Sequence, residues 1–166
     1  SVQHKSSEIT NVFAVDSRLL DWVKSLYPSK QINVIHQGSA LIEGILNSSN
    51  GSDVKDVSCL IDRGILHVVV RQAKNLLYYN QFAARKSEDY LKYVMLVFKE
   101  LGLNQKQTKV TVWGNLKSDS KHIVILKKYI RNVVYGKRSS GLNFSYQFDE
   151  LPDHQYFDLM NIHLFG

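Results

Sequence analysis

The chain has 166 residues, 44% of them hydrophobic and 11% aromatic, with a formal net charge of +6. That length holds one ordinary core, or one domain with a flanking piece of another, and that apolar content excludes a disordered chain. The longest run without Lys, Arg, Asp or Glu is the 12 residues from Gln31 to Ile42, short of the roughly 18 that a membrane-crossing helix needs, so no transmembrane segment is expected.

In chain order, the first predicted element is a strand over residues 9–15, ITNVFAV, from its β-branched and aromatic content. Asp16 comes next as an N-cap, and SRLLDWVKSLY sets Leu19, Leu20, Val23 and Tyr27 at helical spacing, with Pro28 closing the element. INVIH at residues 32–36 predicts a second strand, and GSALIEGIL predicts a second helix striped by Leu41, Ile42 and Ile45. Residues 1–52 therefore read as a β-α-β-α piece. The polar stretch NSSNGSDVKD at residues 47–56 marks the boundary between this piece and the rest of the chain.

Three closely joined strands come next, over residues 57–61, 64–71 and 75–82. Their connections are too short for crossover helices, so they are expected to be antiparallel neighbours. Helical periodicity returns in SEDYLKYVMLVFKELGL, where Leu91, Val94, Met95, Phe98 and Leu101 share a face and Gly102 ends the helix. A strand at residues 109–114, KVTVWG, and a helix at residues 118–131 with Ile123, Leu126 and Ile130 inward complete the pattern. Beyond Val133 lie the turn GKRSSG, the strand-like NFSYQF and the terminal DELPDHQYFDLMNIHLFG.

The order β-β-β-α-β-α over residues 53–166 predicts an α/β, ribonuclease H-like domain with a mixed sheet. That unit is duplicated in actin-like ATPases. A ferredoxin-like fold needs a helix between its first two strands, and residues 61–64 leave no room for one.

In an actin-like ATPase the strand-turn-strand of each lobe approaches the nucleotide phosphates, where a carboxylate holds Mg²⁺ through water and Gly lets the backbone come close. Asp62, Arg63 and Gly64 present that pattern, but Ile65, Leu66 and His67 come after it where a small or hydroxylated residue is usual. An adenosine loop would carry paired glycines after the later strand, and here Gly114 is followed by Asn115. Asp62, Gly64 and Gly114 are therefore the candidate cofactor-binding residues of a degraded site. Trp113, at a strand end, is expected to be a buried aromatic rather than a base-stacking one.

No catalytic or metal-ligating set is expected. His4, His36, His67, His122, His154 and His163 are scattered without metal-site spacing, and no Gly-x-Ser-x-Gly occurs. A nuclease of this fold needs several carboxylates around two metal ions. Asp62 and Asp89 are available, but KVTVWG supplies none. Cys59, the one cysteine, lies in the apolar run VSCLI and reads as a buried small hydrophobe.

Charge is uneven along the chain: 8 basic and 7 acidic residues up to Ala84, 13 and 4 from Arg85 to Arg138, and 0 and 4 thereafter. Lys117, Lys121, Lys128 and Arg131 on one helix offer a phosphate-binding surface, although solvated lysines leave the same trace, and nucleic acid is disfavoured as a partner.

NLLYYNQFAARKSEDYLKYVMLVFKELGL, VTVWGNL, LKKYIRNVVY and FDELPDHQYFDLMNIH together resemble the C-terminal half of an uncharacterised bacterial family found mainly in Bacteroidetes, a domain of unknown function. The likeness runs over roughly residues 57–164, and the family in turn resembles the actin-like cytoplasmic scaffolds of pilus assembly and type II secretion. The resemblance implies a further N-terminal lobe, residues 1–52 belonging to the first lobe or the interlobe region, and residues 53–166 forming the second lobe. SVQHKSSE at the start, without Met or a signal peptide pattern, fits an excised or processed product, and a cytoplasmic protein is expected. Tyr79, Asn80, Lys121, Lys128 and Arg131 are the candidate binding surface. The function expected is a non-catalytic scaffold or regulatory binding protein of the actin-like kind. The alternatives are an ATPase whose site a further lobe completes and a nucleic-acid-binding ribonuclease H-like domain. No cofactor is expected for the chain by itself, whereas ATP with Mg²⁺ is expected if a further lobe completes the site. The expected partner is the protein's own N-terminal lobe, another protein, or a second copy meeting it near residues 9–15 or 32–36.

Overall fold

The structure, a computed structural model, describes residues 1–5, 7–49, 51–117, 119–138 and 142–165. At the N-terminal end, β1 (Val2–Gln3) and β2 (Thr10–Asn11) form a short antiparallel pair, so the strand expected over residues 9–15 contracts to two residues. α1 (Ser17–Leu26) starts at Asp16, whose carboxylate accepts the Arg18 backbone N–H at 2.9 Å. The strand expected at residues 32–36 does not form. Its backbone has no partner strand to supply a ladder, and propensity without a partner does not make a strand. His36 instead caps α2 (Gln37–Asn47), with Nδ1 accepting the Gly38 N–H at 3.0 Å. The piece is therefore β-β-α-α.

The sheet is built from β3 (Lys55–Asp62), β4 (Ile65–Gln72) and β5 (Asn75–Ala83), joined as an antiparallel meander. Arg63 and Gly64 make the two-residue turn with φ of 44° and 79°, the left-handed pair that matches strand twist in a tight hairpin. α3 (Ser87–Glu100) crosses to β6 (Lys109–Gly114), which lies parallel to β3. α4 (Lys121–Tyr129) then crosses to β7 (Asn132–Tyr135), parallel to β6. The strand order is β5-β4-β3-β6-β7. α3 begins where the Asp89 carboxylate accepts the Arg85 and Lys86 backbone N–H groups at 3.0 and 2.9 Å. It ends at Gly102, φ 61°, with the Leu103 N–H returned to the Phe98 carbonyl at 2.8 Å, a glycine-terminated cap.

Period-two alternation gives the central strands two buried faces. Val57, Cys59, Ile61, Leu66, Val68, Val70, Val110 and Val112 pack under α3 and α4 against Val94, Phe98, Ile123, Leu126 and Ile130. Leu60, Val69 and Trp113 point the other way, onto Leu41, Ile42, Ile45 and Leu46 of α2. Each fully buried Leu or Val contributes roughly 1.5–3 kcal/mol relative to exposure, so α2 covers a smaller but fully buried core on its own face of the sheet. His4 of the N-terminal segment is buried against Glu43 of α2 at 3.0 Å.

The C-terminal segment returns to the α2 side. NFSYQF is not a strand: Tyr146–Phe148 is a 3-10 turn, and no strand of either sheet pairs with it. The turn expected at GKRSSG falls partly on residues 139–141, outside the described residues. α5 (Phe157–Met160) and a 3-10 turn at Ile162–Phe165 lie against α2.

Candidate functional site

A cleft of about 930 Å³ opens at the carboxyl ends of the parallel strands β3 and β6, the end of an α/β sheet where ligands usually bind. The β3–β4 turn brings Asp62, Arg63 and Gly64 to it, β6 brings Gly114 and Asn115, and the start of α4 brings Ser120 and His122. Gln37 enters from α2, and Tyr156 and Asp158 enter from the C-terminal segment. Asp62, Gly64 and Gly114 are thus gathered around one space.

Their contacts are internal. Asp62 Oδ2 accepts from Arg63 Nε at 3.1 Å, Arg63 Nη2 at 3.0 Å and Gln37 Nε2 at 3.1 Å. The same Gln37 nitrogen donates to Asp158 Oδ2 at 2.8 Å. Burial works against ionisation of Asp62, but the hydrogen bonds from Arg63 and Gln37, with the charges of Arg63 and His67, outweigh it and hold the carboxyl below the usual carboxylate range. Leu66 is fully buried in the core. Gly114 sits at φ 120°, and a Cβ there would run into the Ile61 carbonyl oxygen, so the close approach of β3 and β6 accounts for the glycine without a ligand. Its N–H donates to the His154 carbonyl at 2.8 Å. Asn115 Oδ1 accepts from Gln155 Nε2 at 2.6 Å, so residues 154–158 seal the loop after β6. Trp113 is buried, as its position at a strand end implies.

The other candidate residues stand apart from the cleft. Tyr79 lies on β5 with its hydroxyl 3.1 Å from His67 Nδ1 and close under Gly38 at the start of α2. Burial pushes this phenol up to about 12. Asn80 is exposed on the same strand. Lys121 and Lys128 border one shallow depression with Ser87 and Glu88, whereas Lys128 and Arg131 border another with Lys106 and Lys127. Gln37 and Asp158 are not foreseeable from the sequence. They are 121 positions apart, and no local pattern announces a pair made by tertiary packing alone. Among the described residues, no group of three or more His, Cys, Asp or Glu is placed to hold a metal ion, and no helix is long and apolar enough to cross a membrane.

A mixed five-stranded sheet with an antiparallel meander and two parallel returns, covered on both faces, defines an α/β fold of the ribonuclease H-like, actin-like ATPase class. A solved structure from Bacteroides thetaiotaomicron VPI-5482, described as a protein with actin-like ATPase fold and unknown function, is similar with a TM-score of 0.64 and 23% identity over 74% of this chain and 47% of that one. At that identity the likeness shows the fold alone, and this chain spans about half the length of that protein. No curated protein matches. The chain belongs to the family described as "Protein of unknown function (DUF3822)", whose model matches residues 1–133. The match starts well before residue 57 and ends before the Leu-Pro-x-His segment, so the family's pattern includes α1 and α2 and is not confined to the span expected from sequence.

Proposed function

We propose that this chain is a non-catalytic scaffold or regulatory binding module whose partner packs on the face carrying α1. The observation that supports this is α1 itself, which has no buried residue. Leu19, Trp22, Leu26 and Tyr27 are 55%, 59%, 54% and 55% exposed and lie at helical spacing on one side, away from Asp21 and Lys24. Val12 is 78% exposed just before the helix. A contiguous apolar face of this kind marks an interaction surface. In this reading the occupant is a further lobe of the natural protein or a separate protein in its place, with residues 1–52 as the interlobe piece and 53–166 as the second lobe. The likeness to actin-like scaffolds of pilus assembly and type II secretion supports the same reading. The test is the emission of Trp22 in a Trp113→Phe background. It is expected to be water-exposed in this chain and shifted to the blue in the natural protein with its partner. Emission that stays water-exposed in both overturns the proposal.

A second reading, an ATPase whose site a further lobe completes, is favoured by one observation: Asp62, Gly64 and Gly114 converge on the same cleft. ATP with Mg²⁺ would meet Asp62 there. The carboxylate is already engaged by Arg63 and Gln37, and Ile65 and Leu66 continue the turn with apolar bulk, which is why this reading ranks second.

A further inference from the structure

At the amino ends of β6 and β7, the opposite end of the sheet from the cleft, a depression of about 440 Å³ lies between the loop that leads into β6 and the end of α4. Lys106, Lys127, Lys128 and Arg131 border it, all four exposed, and among the described residues no carboxylate does. None of the four enters an ion pair among the described residues. Lys127 Nζ rests 5.8 Å from the centre of the Tyr135 ring, an attraction that leaves its charge in place. The backbone holds the depression in shape. The Arg131 N–H donates to the Gln105 carbonyl at 3.0 Å, Asn132 Nδ2 donates to the Lys106 and Gln107 carbonyls at 3.2 Å, and Asn104 Oδ1 accepts the Lys106 N–H at 2.8 Å. These bonds tie the loop to the residues after α4 and bring the backbone of Lys106 beside that of Arg131.

Folding alone does not call for this concentration of charge. The carboxyl end of a helix is equivalent to about half a negative charge, which leaves an excess of about three and a half positive charges around the depression. Like charges held together repel, and an entering anion relieves that cost. We infer that the depression binds a ligand carrying two clustered phosphate groups, through Lys106, Lys127, Lys128 and Arg131. Two phosphomonoester groups bring about −3 to −4 at neutral pH and match the excess, whereas one neutralises about half of it. Arg131 supplies the planar fork that suits phosphate, and the lysines supply point charges on mobile stems. No carboxylate is there to hold Mg²⁺, so the ligand is the metal-free anion. A nucleic-acid strand fits less well, because it needs a continuous track of cations. The neighbouring depression shares Lys128 but is bordered by Glu88 as well as Lys121, so the track breaks there.

The site uses no residue of α1 or of the cleft, so it and the proposed function fail separately. Titration calorimetry with sodium diphosphate, at low salt and without Mg²⁺, compares the wild-type protein, a Lys106→Gln/Arg131→Gln variant and a Lys92→Gln/Lys121→Gln variant. The last removes the same charge from exposed positions outside the depression, and circular dichroism checks that both variants fold. The expected result is saturable binding by the wild type, with a dissociation constant raised at least about tenfold by the first pair and less than about twofold by the second. Inorganic monophosphate is expected to bind at least about tenfold more weakly than diphosphate, and Mg²⁺ to weaken the binding by taking up the same oxygens. Amide shifts of the wild type on adding diphosphate need no variant, and they are expected to centre on residues 105–107 and 127–132. Phosphatidylcholine vesicles carrying phosphatidylinositol bisphosphate separate the sources of such a ligand. Retention on them that free diphosphate displaces assigns it to a lipid headgroup, and diphosphate binding without retention assigns it to a soluble molecule. No saturable heat from the wild type, equal losses in the two variants, amide shifts centred on the cleft, or retention of a single-stranded DNA oligonucleotide that diphosphate fails to displace overturns the inference.

Discussion

Trp113 and Phe157 stack with ring centroids 3.7 Å apart and planes 26° from parallel. This contact joins the end of β6 to the start of α5 and closes the α2 side of the sheet. Both side chains are buried, so Phe157→Ala is expected to cost about 3–5 kcal/mol and to free residues 154–158 from the loop after β6. Urea unfolding measures the loss, and a cost below about 1 kcal/mol would mean that the C-terminal segment is not part of the core.

Gly114 and Gly51 separate packing from conformation. Both have positive φ, 120° and 79°, but a Cβ at Gly114 meets the Ile61 carbonyl, whereas one at Gly51 has nothing within 4 Å. Gly114→Ala is expected to destabilise by at least about 2 kcal/mol, and Gly51→Ala by about 1 kcal/mol. Equal midpoint shifts in parallel denaturation curves would contradict the steric account.

The elements legible in the sequence are those whose signals are local. The meander over residues 57–82 is carried by short turns, the end of α3 by Gly102 and the start of α1 by the Asp16 side chain, and all three stand in the structure. The strand readings at residues 32–36 and NFSYQF rest on composition, and a strand also needs a neighbour that composition does not reveal. The cleft is half legible. Asp62, Gly64 and Gly114 sit on adjacent strands of a recognisable topology, but Gln37 and Asp158 meet only because α2 and α5 pack together.

Acid is expected to weaken the fold in two stages. Burial pushes His67 below the usual imidazole range, against the opposing charges of Asp158 and Asp62, and burial does the same to His122. The unfolded chain takes up protons below about pH 6.5 while the folded imidazoles stay neutral, so stability falls as pH drops toward the folded values. Asp62, with its carboxyl held low, adds a later loss as pH falls through its folded value. Urea midpoints between about pH 7.5 and about pH 5.5 check the first stage, and a His67→Gln/His122→Gln variant is expected to flatten it. An unchanged slope in that variant would assign the effect to other groups.

Cys59 is completely buried, and burial pushes its thiol up to about 12. Reaction with a thiol reagent is therefore expected only on unfolding, at a rate that tracks denaturant concentration. Prompt stoichiometric labelling of the native protein would contradict the burial of β3.

Titration calorimetry of the protein with Mg²⁺-ATP, beside its Asp62→Ala variant, tests most directly whether this module binds a partner without turning over nucleotide. With Asp62 held by Arg63 and Gln37, the predicted result is no saturable heat from either protein. Micromolar binding that Asp62→Ala abolishes would contradict the claim and establish the cleft as a working nucleotide site.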